Sequence, residues 1–139
     1  MITWNNCDKN FIKKVEIDIF RIKSIVEKAF QRKKVIDNLK ESEENDSFIV
    51  EGYYEVIKEL LVAYLLRNGL RSRNHQCLIA YFYAQNPSLE GEAKFIEQLL
   101  YYRNRLDYYG ESIPTDFYKR NKQEISKIID MLKEMVKID

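Results

Sequence analysis

The side chains best suited to binding an anion lie in the run from Arg103 to Gly110, which reads RNRLDYYG. The Arg103 guanidinium can donate two parallel hydrogen bonds to a phosphate or a carboxylate. Asp107 lies four residues later, hence on the same face of a helix, where it can pair with Arg103. Phosphate binding and a structural ion pair both fit this spacing, and the two can coexist.

A second group of candidate ligands lies in the basic segment that spans residues 67–75. Arg67, Arg71 and Arg73 gather three cations in one short connection, which suits contacts to phosphate. Cations near a helix C-terminus are also favoured without any ligand. His75, the one histidine in the chain, is a candidate base because histidine titrates near neutrality. Its alternative role is capping or packing at the start of a helix, since nothing in the sequence places it beside Arg103.

Composition predicts a mostly helical protein. The 139 residues include only 4 glycines and 2 prolines, and 32% are charged, which favours long helices over tight turns. This length fits one domain over residues 1–139 with a core of its own. Because the formal net charge is only +1, any anion binding must come from a local patch.

The two cysteines and the apolar segments predict the protein's surroundings. Cys7 and Cys77 lie far apart with no CxxC spacing, so we expect two free thiols in a reducing, cytoplasmic environment. With a single histidine we expect no metal site, and we expect no cofactor. The longest unbroken apolar run, Leu60 to Leu66, is too short to span a bilayer, so we expect no membrane association.

Apolar residues at three- and four-residue steps predict five helices in an all-α, up-and-down antiparallel bundle. Asp8, Ser72 and Ser88 are the predicted N-caps, and Gly69 and Gly110 are the predicted left-handed C-terminal residues. The predicted helices cover about 9–38, 47–68, 73–85, 89–109 and 115 onward. The seam of the first helix consists of Ile12, Val15, Ile19, Ile22, Val26 and Ala29.

The helix over 47–68 is predicted to be the central one because apolar residues cover most of its surface. Its N-cap is Asn45 or Asp46. Glu51, near the start of this helix, suits the helix dipole without any catalytic role. The remaining polar strip of the helix contains Glu55, Lys58 and Glu59.

Three segments together resemble the HEPN domains, the helical "higher eukaryotes and prokaryotes nucleotide-binding" superfamily. The likeness is closest to its short stand-alone archaeal and bacterial members. Residues 48–59 (FIVEGYYEVIKE) look like the central helix of the family, and residues 69–75 (GLRSRNH) look like the link that opens its third helix. Residues 103–110 look like the family's signature region. The likeness covers roughly residues 46–139.

The resemblance implies a helical bundle that is usually a homodimer, with the signature region lining a cleft between subunits. Many relatives are metal-independent ribonucleases, and many act as toxins whose partner is a nucleotidyltransferase encoded beside them. Arg103 and Asn104 match the front of the family motif. The histidine that should follow is missing, and Tyr108 and Tyr109 occupy the region where it would fall.

By this resemblance, Arg103 and Asn104 would hold phosphate, Tyr108 or Tyr109 would contact the RNA or nucleotide, and Glu51 would position Arg103. A tyrosine with a pKa of about 10 is a poor replacement for histidine as a base at neutral pH. We therefore expect either a ribonuclease with a degenerate motif or a catalytically inactive module that binds RNA, a nucleotide or a protein.

Overall fold

The computed structural model describes residues 3–8 and 10–138 and has an all-α architecture, so the predicted helical bundle is confirmed. Two short strands form an antiparallel pair, β1 over Lys13–Lys14 and β2 over Leu70–Arg71. A 3₁₀ turn over Pro87–Leu89 leads into the fifth helix. The helices of the described part are α1 (Trp4–Asp8), α2 (Ile19–Asp37), α3 (Asp46–Leu66), α4 (His75–Gln85), α5 (Glu90–Tyr109) and α6 (Phe117–Met135).

Helix α3 is the centre of the bundle, as predicted, and packs against α2, α4, α5 and α6. Most of its large apolar side chains are buried, among them Ile57, Leu60 and Leu61, whereas Phe48 near its start is 55% exposed. Gly52 allows α2 to approach closely, because a Cβ atom at this position would clash with Ile36. Tyr53 adds a polar tie between these two helices, since its hydroxyl donates a 2.7 Å hydrogen bond to Asp37.

The prediction of a single helix over 9–38 is wrong at its N-terminal end. Lys9 and the Asp8 side chain lie outside the described residues, and the observed α2 begins at Ile19. Its N-cap is Asp18, whose carboxylate accepts a 3.0 Å hydrogen bond from the Arg21 amide. The preceding residues are extended because they pair with the segment after α3, including a 2.9 Å bond from the Val15 amide to the Gly69 carbonyl.

The other helix ends differ from prediction by one or two residues. Asn74, rather than Ser72, caps α4 by accepting a 3.0 Å bond from the Cys77 amide, since the Ser72 hydroxyl is engaged with the Asn74 amide. Ser88 lies inside the 3₁₀ turn and provides no cap for α5. Gly69 and Gly110 have φ values of +75° and +66°, so both predicted left-handed stops are confirmed.

The prediction of two free thiols is wrong. Cys7 and Cys77 form a disulfide that joins α1 to the first turn of α4, and both residues are fully buried. The sequence did not indicate this pairing, because its apolar pattern predicted that residues 9–18 belong to one long helix. In the structure the chain after α1 folds back instead, and Cys7 lies beside α4.

The expected cytoplasmic location rested on two free thiols, and the disulfide contradicts that premise. Structural disulfides persist in oxidising compartments and, among intracellular proteins, mainly in hyperthermophiles. Within the described residues, none of the helices combines the length and the apolar character needed to cross a bilayer.

Candidate functional site

Arg103 lies on α5 with its side chain 17% exposed and held between two acids from different helices. Its Nε atom is 3.1 Å from Asp107 Oδ2 on the next turn of α5 and 3.3 Å from Glu55 Oε1 on α3. Its Nη1 donates a 3.1 Å bond to Asn104 Oδ1. The ion-pair interpretation of the Arg103–Asp107 spacing is therefore confirmed, and Glu55 adds a second acid that the sequence did not indicate.

Glu55 also connects Arg103 to a charged row along α3. Lys58 Nζ lies 3.1 Å from Glu55 Oε2 and 2.9 Å from Glu59 Oε1. Burial alone would lower the pKa of Lys58, but its hydrogen bonds to Glu59 and Glu55 outweigh burial and raise it. The row therefore alternates acidic and basic side chains, is partly shielded from solvent and ends at the Arg103 guanidinium.

Glu51, which was expected to position Arg103, lies one helical turn before Glu55 and is engaged with Asp107 instead. A hydrogen bond to Asp107 is the main reason that the pKa of Glu51 rises to about 7. Burial and the charges of Asp107 and Glu55 raise this pKa further, whereas Arg103 opposes the rise. Glu51 is consequently a carboxyl group that can gain or lose a proton near neutral pH.

His75 at the start of α4 faces the same group of charges. Tyr54 Oη and His75 Nδ1 share a 2.7 Å hydrogen bond, and burial raises the pKa of Tyr54, which keeps its proton. Burial lowers the pKa of His75, and the positive charges of Arg103 and Lys58 lower it further. His75 is therefore a neutral imidazole at pH 7, oriented by Tyr54 and close enough to Arg103 to respond to its charge.

We call this group the polar cluster, defined as Glu51, Glu55, Lys58, His75, Arg103 and Asp107. It lies where α3, α4 and α5 meet. Its chemistry combines a guanidinium, a neutral imidazole and a carboxyl group that titrates near neutrality. Such a set contains a proton acceptor, a proton donor and a cation that can stabilise a phosphate.

The two tyrosines of the signature region have different surroundings. Tyr108 is 70% exposed, and its hydroxyl lies 3.5 Å from Arg103 Nη1 at the edge of the polar cluster. Tyr109 instead packs under the Arg105 guanidinium, 4.3 Å from the ring centroid. The structure therefore brings Tyr108 to Arg103 but not Tyr109.

The three arginines of the basic segment do not form one set. Arg67 turns toward α6, where its Nη1 donates to the Met135 carbonyl. Arg71 lies on β2 directly opposite Lys13, and Arg73 is exposed just before α4. Arg67 thus provides a hydrogen-bond donor for a backbone carbonyl at the C-terminal end of α6. Arg71 and Arg73 instead lie together at the surface.

Sequence reasoning missed three members of this site as functional residues, namely Tyr54, Glu55 and Lys58. The signal was present, because acids recur at four-residue spacing (Glu51, Glu55, Glu59) on a helix that is otherwise apolar and central. On such a helix a row of charges must face other charged groups or solvent, and here it faces α4 and α5.

A surface cavity of about 570 Å³ is lined by Asn104, whose side chain contacts Arg103, and also by Gln76 and Tyr101. This volume falls in the range of small-molecule sites. Within the described residues, no three histidine, cysteine or acidic side chains are grouped so that they could hold a metal ion. Comparison of the chain with protein-family models, curated proteins and solved structures gave no match.

Proposed function

We propose that this chain is a HEPN-type protein that binds RNA and cleaves it, without a metal ion, at the polar cluster. The observation that carries the proposal is that α3, α4 and α5 bring Glu51 and His75 into one group with Arg103, whose charge acts on both of them. The pKa of His75 is lowered and that of Glu51 is raised to about 7. Opposed shifts of this kind separate a base from an acid within one site.

In the proposed reaction His75 supplies the base that the family motif lacks in α5. The reaction requires the tautomer in which His75 Nδ1–H donates to Tyr54 Oη, because Nε2 is then free to take the proton of an RNA 2′-hydroxyl. The 2′-oxygen then attacks the adjacent phosphorus while Arg103 stabilises the added charge. Glu51 gives its proton to the departing 5′-oxygen. The products are a 2′,3′-cyclic phosphate and a free 5′-hydroxyl.

Phosphate binding at Arg103 requires Asp107 to give way. The side chain of Asp107 is 30% exposed, compared with 19% for Glu55, so Asp107 is the acid that moves at lower cost. Its hydrogen bond with Glu51 gives it another partner. Asn104 and Tyr108, both in contact with Arg103 Nη1, then border the bound phosphate, as the resemblance implies.

The resemblance alone supports two further parts of the proposal. HEPN relatives usually act as homodimers, and many belong to two-gene toxin–antitoxin-like systems with a nucleotidyltransferase. We extend both to this chain as its proposed partners. An adjacent gene for a minimal nucleotidyltransferase is the observation that tests the second of them.

One observation favours a second candidate function, a catalytically inactive module that binds a protein or a nucleotide. Glu55 and Asp107 together neutralise Arg103 in the absence of a ligand. Large aromatic side chains also stay exposed nearby on α5, with Tyr101 59% and Tyr108 70% accessible. Aromatic side chains on a surface are typical of protein interfaces.

Incubation of the purified protein with RNA in excess chelator tests the proposal. We expect cleavage that persists in EDTA and leaves 2′,3′-cyclic phosphate ends. The rate should rise with pH as His75 loses its proton, below pH 6.5, and fall above about pH 7 as Glu51 loses its own. Binding without cleavage supports the inactive module, and cleavage that EDTA abolishes contradicts the proposed reaction.

A further inference from the structure

A separate basic site includes the residues just before α4, which begins at His75 of the polar cluster. Lys13, Arg71 and Arg73 surround a small surface cavity of about 240 Å³, together with Asn10, Phe11 and Asn74. We call these six residues the basic cradle. It combines residues from two segments that lie about sixty positions apart in the sequence, so the fold creates it.

The strand pairing holds two cations of the cradle against each other. Lys13 and Arg71 are direct Cα partners in the β1–β2 ladder, and like charges directly opposite each other on antiparallel strands destabilise the pairing. Among the described side chains, no carboxylate forms an ion pair with Lys13, Arg71 or Arg73. An arrangement that concentrates positive charge at a cost in stability is suited to an anionic ligand.

The cations of the cradle have no described ion pair with a carboxylate, whereas Arg103 is already neutralised by two acids. Any polyanion that approaches the protein therefore meets more available positive charge at the cradle than at the polar cluster. The two sites are close along the chain, since Arg73 precedes His75 by two residues. An extended anion bound at the cradle can thus continue toward the polar cluster.

The cavity and its rim indicate which anion fits. At about 240 Å³ the cavity is smaller than the roughly 300–1,000 Å³ typical of sites that enclose a small molecule, so it suits one phosphate of a longer chain. Phe11 lies at the rim and is 44% exposed. An exposed aromatic ring beside a group of cations is the arrangement on which bases of single-stranded nucleic acids stack.

The disulfide holds the two halves of the cradle together. Cys7 lies three residues before Asn10 in the segment that also carries Phe11 and Lys13, and the Phe11 amide donates a 3.0 Å bond to the Cys7 carbonyl. Cys77 lies in the first turn of α4, where its amide bonds to Asn74 of the cradle. Apart from this covalent link, the short β1–β2 ladder joins the same two segments.

We propose that the basic cradle is a binding site for single-stranded RNA, in which Lys13, Arg71 and Arg73 contact backbone phosphates and Phe11 stacks on a base. The Cys7–Cys77 disulfide assembles this site, so reduction weakens it. The choice of RNA as the ligand rests on the proposed function, but the site does not depend on cleavage.

The test measures the affinity of the protein for a short 2′-O-methyl RNA oligonucleotide, which lacks the attacking hydroxyl and cannot be cleaved. We expect Arg71→Gln/Arg73→Gln to lower affinity at least about 10-fold. The slope of log affinity against log salt concentration should become shallower by about 1.4, since each lost phosphate contact contributes roughly 0.7. Phe11→Ala should lower affinity about five-fold or more without changing this slope.

The matched control is Arg32→Gln/Lys34→Gln, which removes two cations from the exposed surface of α2 and should leave affinity unchanged. An equal loss in the control, or unchanged affinity in Arg71→Gln/Arg73→Gln, overturns the proposed site. Reduction of the wild-type protein, with folding checked by circular dichroism, should lower affinity as well. Undiminished binding by the folded, reduced protein overturns the role of the disulfide. Because binding is measured without cleavage, failure of the proposed catalysis leaves this test intact.

Discussion

Replacement of His75 by alanine is expected to lower the rate of RNA cleavage roughly 10²- to 10⁴-fold, the usual contribution of a general base. The affinity for RNA should stay close to that of the wild type, because His75 takes a proton in the reaction and Arg103 holds the phosphate. Stability should fall by about 1–3 kcal/mol, because the buried Tyr54 hydroxyl loses its hydrogen bond with His75, so folding is checked alongside activity. Single-turnover cleavage rates and binding isotherms measured side by side check both expectations.

Tyr54→Phe provides the companion variant for this experiment. It keeps the buried ring but removes the hydroxyl that contacts His75 Nδ1 at 2.7 Å. We expect a smaller loss of rate with unchanged KM, because the imidazole is still present but no longer held in one orientation. Gln85→Ala, at an exposed position at the other end of α4, is the matched control and should cleave like the wild type. A His75→Ala protein that is folded and cleaves at the wild-type rate would assign His75 to packing alone.

Loss of the Cys7–Cys77 disulfide is expected to lower the free energy of unfolding by about 4 kcal/mol. The bond closes a loop with a sequence separation of 70 residues, and loop-closure entropy for that length gives a value of this size. For a chain of this length the corresponding fall in Tm is roughly 10–20 °C. Thermal and denaturant unfolding, with and without reductant, measure the change.

Cys7→Ser/Cys77→Ser separates loss of the crosslink from side effects of the reductant. This variant should unfold like the reduced wild type and should show no further change when reductant is added. The wild type purified under oxidising conditions should carry no thiol that reacts with an alkylating reagent before reduction. Two reactive thiols in the native, oxidised protein would contradict the disulfide.

Helices α3 to α6 could be predicted from the sequence because each carries its own apolar period, whereas the five-residue α1 was not predicted. The apolar stripe of α6 appears in the structure as buried Ile125, Ile128 and Leu132. Gly69 and Gly110 end their helices in the left-handed conformation, as expected. These features are local, so they can be read from neighbouring residues alone.

The features of the fold that were predicted wrongly depend on contacts between segments far apart in the chain. Residues 9–18 have a helical period, but pairing of Lys13–Lys14 with Leu70–Arg71 overrides it. The same fold-back brings Cys7 to Cys77, which no spacing in the sequence indicates.

The candidate site was predictable only along α5. The pairing of Arg103 with Asp107 follows from four-residue spacing on one helix, and the structure contains it. The contacts of Arg103 with Glu55 and of His75 with Tyr54 join different helices. They depend on how α3, α4 and α5 are rotated about their axes, which amphipathic patterns determine too coarsely to position individual polar atoms.

The most direct test of the central proposal is the cleavage of RNA in chelator by Arg103→Ala, compared with the wild type and with Arg105→Ala. Arg105 is a matched control on the same helix, paired with Glu111 rather than with the polar cluster. We predict that Arg103→Ala lowers the cleavage rate roughly 10²- to 10³-fold, that Arg103→Lys recovers only part of it, and that Arg105→Ala cleaves like the wild type. Wild-type cleavage by a folded Arg103→Ala protein would contradict the proposal and leave Arg103 as a structural ion pair.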